Sequence, residues 1–200
     1  CYLCGVVPQD RMGAVKQHVY DPPDEFVEIG SPFFMFFSFE ALAKLGMYET
    51  IADWTRKYWG DMLRHGATTA WEMFGDEITR SRCHAWSAGP VYFLQTQQLG
   101  VEPALPGFER ATIAPIPLDL RWCEGRVPTP HGEIAVAWSR NDDAFSIGVT
   151  LPEGVRADVI LPCETDEFGE PKVTGEGAIE SVRAAGVWKV RGAGGAKVSV

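Results

Sequence analysis

The sequence predicts an α+β chain of two domains, a helical one followed by an all-β sandwich. Apolar residues recur every three or four positions in the first half and every second position in the second, and Pro103 and Pro106 mark the change. The expected domains are residues 1–104 and 105–200.

In the first half, Gln9 to Val19 reads as a helix with Met12, Val15 and Val19 on one side, and Pro22-Pro23 separates it from the second helix. Ser31-Pro32 opens that second helix as N-cap and first helical residue, and Gly46 stops it after Leu45. Met47, Ile51, Trp54, Tyr58 and Met62 share one face of a third helix ended by Gly66, which makes a helical hairpin with the second. Pro90 to Leu99, stopped by Gly100, is a fourth.

In the second half, Ile134, Val136 and Trp138 alternate with small or polar neighbours, as do Phe145, Ile147, Val149 and Leu151. Asn141-Asp142-Asp143 between them is turn material, so the pair predicts a β-hairpin. Short runs at 159–161, 179–182, 187–190 and 197–200, divided by glycines, extend the strand pattern to the end and suggest a sandwich.

The 200 residues are 46% hydrophobic, enough to bury roughly 70% of the unfolded surface. A formal charge of −9 without any Lys/Arg cluster removes the basis for holding a phosphate backbone, so no nucleic-acid partner is expected. The longest apolar run, near Pro32 to Phe39, is broken by Ser38 and Glu40 and falls short of the ~20 residues of a membrane span. Five cysteines, an odd number, favour a reducing compartment such as the cytoplasm. Cys1-Tyr2-Leu3 has no charged n-region, and the start of the gene product is expected upstream of it, which leaves localisation open. Phe33, Phe34, Phe36, Phe37 and Phe39 place aromatics around most of their helix, and such a helix must be buried on most faces. Either the β domain covers it or the helical part belongs to a larger assembly.

The segment Thr68 to Tyr92 concentrates the chemistry. It holds Trp71-Glu72 and, after a polar break, His84 and Trp86. A carboxylate beside flat indoles suits a sugar: the acid works on an acetal oxygen or a water while the rings stack on the pyranose. The plainer readings are a solvated loop glutamate, a satisfied histidine near a helix start and packing tryptophans. Asp76 and Glu77 lie close enough in sequence to offer a second carboxylate. Zinc on Cys1, Cys4, Cys83 and His84 is disfavoured because adjacent Cys83 and His84 lack the usual ligand separation. Ser87 reads as a helix cap, since the G-x-S-x-G elbow of a serine nucleophile is absent. The remaining tryptophans, Trp54, Trp59, Trp122, Trp138 and Trp188, read mostly as packing.

Gly30-Ser31-Pro32-Phe33, Tyr58-Trp59-Gly60, Gly66-Ala67-Thr68-Thr69-x-Trp71-Glu72 and Ser81-x-Cys83-His84-x-Trp86-Ser87-Ala88-Gly89-Pro90 resemble, in order and spacing, the bacterial α-L-rhamnosidases of glycoside hydrolase family 78. The resemblance continues through Pro106-Gly107-Phe108 and Gly125-x-Val127-Pro128-Thr129-Pro130-x-Gly132 and covers nearly the whole chain. It implies the C-terminal part of a six-hairpin α/α toroid followed by a β-sandwich, and an inverting enzyme that releases terminal α-L-rhamnose from glycosides. Inversion needs two carboxyl groups roughly 6.5–9.5 Å apart. By resemblance Glu72 is the general base, His84 contacts the sugar, and Trp71 and Trp86 wall the pocket. The family's general acid belongs to an aspartate-rich motif that nothing between Cys1 and Gly30 resembles, so it is expected in the remainder of the helical domain, upstream or in trans, and the chain alone is expected to be inactive. No cofactor is expected. The rival reading is a non-catalytic carbohydrate-binding or structural module of the same fold that uses its aromatics only for stacking.

Overall fold

The computed structural model describes residues 2–27, 29–75, 80–142 and 144–162, and the backbone of four later strands within 174–199. The chain forms two compact units, Cys1–Phe93 and Leu94–Val200. The division lies ahead of the prolines expected to mark it, and Val101–Pro103 is already a strand.

The first unit is helical. A 3-10 turn, Gln9–Arg11, leads into α1 (Met12–Tyr20). In α2 (Pro32–Lys44), Ser31 is the N-cap: its hydroxyl accepts from Phe34 N–H at 3.3 Å, with Pro32 in the first turn. Gly46 turns the chain out of α2 at φ +72, a conformation that costs a side chain but not glycine. The third expected helix is present but interrupted. α3 (Tyr48–Trp54) passes into one π-helical stretch, Thr55–Trp59, before α4 (Gly60–Arg64). α5 (Gly89–Phe93) also continues as a π-helical stretch, Leu94–Gln98.

The core of this unit is Met35, Phe39, Leu42, Ile51 and Phe93, with Trp54, Tyr58, Trp59 and Phe74 packed on it. Phe39 is fully buried, and burying such a side chain contributes about 2–3 kcal/mol. The other side of α2 is open: Phe33, Phe34 and Phe37 are 41%, 57% and 43% exposed. Five aromatics in seven positions outnumber the one face the described partners of α2 cover.

Among the described residues the second unit is two five-stranded sheets around one core. The first has the order β1 (Val101–Pro103), β2 (Arg110–Ile113), β6 (Arg156–Ile160), β9 (Val187–Gly192), β8 (Glu180–Ala184). The second runs β3 (Trp122–Thr129), β4 (Gly132–Arg140), β5 (Phe145–Thr150), β10 (Lys197–Ser199), β7 (Thr174–Glu176). The pair β4–β5 is the expected hairpin, in the register Val136↔Val149 and Trp138↔Ile147. Ile113, Val159 and Val190 from one sheet and Val127, Ile134, Val136 and Val149 from the other form a single buried cluster. Trp138 belongs to it, and its indole N–H donates to Gln98 O at 2.8 Å.

One tryptophan departs from the packing expectation. Trp122, at the start of the edge strand β3, is 65% exposed because it points away from the shared core, whereas Val127 on the same strand points in. The side chain of Trp188 lies outside the described residues. Among the described residues no helix is long and apolar enough to cross a membrane.

Candidate active site

The site lies between α4 and α5, on two loop segments joined by an irregular antiparallel pairing. Glu72 N–H donates to Ser81 O and His84 N–H to Ala70 O, both at 2.9 Å. From Ala70 to Glu72 is a step of two residues, from Ser81 to His84 a step of three, so the second segment carries one extra residue in the manner of a β-bulge. Ser81 closes that bulge. Its hydroxyl accepts from Cys83 N–H at 3.2 Å and donates to Cys83 O at 3.0 Å. Thr69 pins the first segment to the second through its hydroxyl, which donates to Arg82 O.

Glu72 is half-buried, and its Oε2 accepts the backbone N–H of Ser81 at 3.1 Å. Among the described residues that is the one hydrogen bond to the carboxylate, so lone pairs remain for a water or a sugar hydroxyl. Trp71, next in sequence, is 5% exposed, and the Arg82 guanidinium lies over its ring at 5.4 Å. Trp86 is the open indole, 67% exposed. The His84 ring meets it edge-to-face at 5.6 Å between centroids, and Phe33 from the first turn of α2 lies 5.0 Å away on a tilt. His84 is half-buried.

The helical unit holds this loop at two points. Trp59 Nε1 donates to Ser87 O at 2.7 Å, and Gly89, at the start of α5, faces Phe36 with room for no more than ordinary contact, a Cβ there lying 3.4 Å from the ring. Ser87 itself is not the cap it resembles: it is fully buried in a 3-10 turn, Ala85–Ser87, and its hydroxyl has no hydrogen-bond partner among the described residues. Its carbonyl makes the structural contact instead.

Of the expected site residues, Trp71, Glu72, His84 and Trp86 therefore share one loop pair, with Trp71 facing inward and Trp86 outward. Asp76, Glu77 and Cys1 lie outside the described residues. Among the described residues no three His, Cys, Asp or Glu groups are placed to hold a metal ion. The contribution of Ser81 is invisible in the sequence, because a backbone N–H carries no signature; its only signal is the Ser-x-Cys spacing of a side-chain turn.

A carboxylate held by a backbone donor on a loop that also carries an exposed indole, in a helical unit followed by a β unit, suits a helical glycosidase domain followed by a β domain. Residues 4–97 match the model of the bacterial α-L-rhamnosidase six-hairpin glycosidase domain, and residues 100–176 that of the bacterial α-L-rhamnosidase C-terminal domain. The chain belongs to the bacterial α-L-rhamnosidase family. It is 34% identical over 127 residues to an α-L-rhamnosidase of Alteromonas sp. (strain LOR), a match covering 58% of this chain and 14% of that protein. The GH78 family rhamnosidase of Bacillus sp. GL1 shares 42% identity over 79% of this chain and 19% of its own, with a TM-score of 0.70. The α-L-rhamnosidase structure from Dictyoglumus thermophilum, 21% identical, shares the fold over 98% of this chain at a TM-score of 0.76. The chain thus spans less than a quarter of the length of each of these three relatives.

Proposed function

We propose that this chain is the C-terminal portion of an inverting α-L-rhamnosidase and carries the general-base side of its active site. The observation that carries the reading is the fixed carboxylate of Glu72: Oε2 is tied to Ser81 N–H while its other lone pairs stay available. A general base must present a charged oxygen to water in a fixed direction. Membership of a glycosidase family and its rhamnosidase relatives support the substrate class, a terminal rhamnose on a glycoside. Trp86 offers the open stacking face; Trp71 backs the loop from beneath and meets a sugar only if Arg82 leaves its ring. His84, set against Trp86, donates to or accepts from a sugar hydroxyl.

The general acid comes from the rest of the helical domain, which the lengths of the relatives leave ample room for. The toroid is completed there, and the exposed Phe33, Phe34 and Phe37 support a helical neighbour in that position. The test is hydrolysis of a chromogenic α-L-rhamnoside by the complete polypeptide carrying this chain, with and without Glu72→Gln. Loss of turnover by about three orders of magnitude or more is expected, in the range of essential acid–base groups. Turnover near that of the parent would remove Glu72 as the base.

A further inference from the structure

We propose that Ser81 is a positioning residue for the general base, holding the bulge that aims its own backbone N–H at Glu72. This rests on the reading of Glu72 as the base. A glutamate has three rotatable side-chain bonds, and holding them in one arrangement costs entropy that some contact must offset. Here the contact is local and built from both ends. Ser81 O takes the Glu72 N–H at 2.9 Å, and Ser81 N–H returns a bond to Glu72 Oε2 at 3.1 Å. One residue thus grips the backbone and the carboxylate of the other.

The geometry depends on the extra residue between Ser81 and His84. In an even ladder, a residue paired on both sides spends its N–H on the opposite carbonyl. Among the described residues the Ser81 N–H makes no bond to the Glu72 carbonyl and reaches the Glu72 side chain instead. The Ser81 hydroxyl keeps the bulge closed by bonding both the N–H and the carbonyl of Cys83. Without it, Cys83 loses two bonds at an exposed turn, and the direction of the 81 N–H is no longer fixed. The bond aids the base without touching the sugar, so its loss acts on turnover and leaves substrate binding in place.

The experiment measures kcat and KM of the complete enzyme on a chromogenic α-L-rhamnoside for Ser81→Ala, Ser81→Thr and Glu72→Gln. Ser81→Ala is expected to lower kcat about tenfold with KM within about twofold of the parent, the scale of one hydrogen bond lost in the transition state. Ser81→Thr keeps the hydroxyl and is expected to restore kcat to within about threefold. Should Ser81→Ala lose its fold by circular dichroism, Ser81→Cys, similar in size with a weak S–H donor, takes its place with the same expected fall. Unchanged kcat in Ser81→Ala alongside an inactive Glu72→Gln overturns the role of Ser81 and leaves the base reading standing. Equal losses in Ser81→Thr and Ser81→Ala, or a loss confined to KM, overturn it too. Turnover by Glu72→Gln near the parent level overturns both.

Discussion

The indole N–H of Trp59 donates to the main-chain carbonyl of Ser87 at 2.7 Å, joining the end of the π-helical stretch to the loop that carries His84 and Trp86. Ser87 is fully buried, so its carbonyl has no water to fall back on when the donor is removed. Trp59→Phe keeps an aromatic against Phe39 and Phe74 but deletes the N–H. We expect a loss of about 1–3 kcal/mol, read by urea denaturation, with no change in the denaturant slope. A loss below about 0.5 kcal/mol would mean that the carbonyl finds another donor.

Gly100 sits at φ +83, and a Cβ there would lie 2.3 Å from Pro115 N and 2.4 Å from the Ala114 carbonyl carbon. Both obstacles are backbone, held by Ala114 N–H bonding back to Gly100 O at 2.8 Å. Gly100→Ala is expected to destabilise the chain by more than about 3 kcal/mol. Gly107→Ala makes the control: it has a similar φ of +69 but nothing within 4 Å, so only the left-handed backbone penalty of about 1–2 kcal/mol applies. Thermal melts of the two variants should separate them clearly, and equal shifts would refute the steric account.

The parts of the fold that were legible in the sequence are those set by local chemistry. Ser31-Pro32 and Gly46 bracket α2, and period-two alternation marks β4 and β5 because one face of each is buried. Strand β3 carries almost no such signal, for the opposite reasons. It is an edge strand, Trp122, Glu124, Arg126 and Pro128 point outward, and only Val127 is fully buried, so the apolar pattern is faint. Pro128 argues against a central strand but is tolerated at an edge. β2 has only four residues and pairs in parallel with β6, a partner distant in sequence that no local pattern announces. In the site, the side chains Trp71, Glu72, His84 and Trp86 were readable as residue types. What orients them was not: the Ser81 N–H, the Ser87 carbonyl and the Arg82 guanidinium over Trp71 arise from backbone geometry and packing.

Cys123, on β3, is partly buried against the second unit's core. Burial, and then the neighbouring negative charge of Glu124, raise its thiol above the usual value of 9.0. The thiolate is the nucleophile, so alkylation by iodoacetamide at pH 8 should be slower at Cys123 than at the exposed Cys4 and Cys83. Glu124→Gln removes the second cause and should speed it modestly. The same shift fixes a sign for stability: between the unfolded and folded values the native state holds the extra proton, so the contribution is intact below about 9 and is lost as pH rises from there through the raised folded value. Mass-spectrometric labelling of the three sites from neutral to alkaline pH checks the order, and Cys123 reacting fastest would contradict it.

Trp86 separates stacking from folding. At 67% exposure it contributes little to the helical core, and its ring neighbours among the described residues are His84, edge-to-face, and the tilted Phe33. Trp86→Ala should therefore shift the melting temperature by no more than a few degrees, since surface substitutions away from special features cost about 0.5 kcal/mol. An aromatic platform lost from a sugar subsite costs far more in binding, on the order of 1–3 kcal/mol, or about 5- to 150-fold in KM for a rhamnoside. A raised KM with an unchanged melting temperature would place the indole against the substrate. A large fall in stability with KM unchanged would instead make Trp86 part of the seam between Phe33 and His84. Phe33→Ala distinguishes the two further, because it removes the neighbour of Trp86 while leaving the indole in place to meet a sugar.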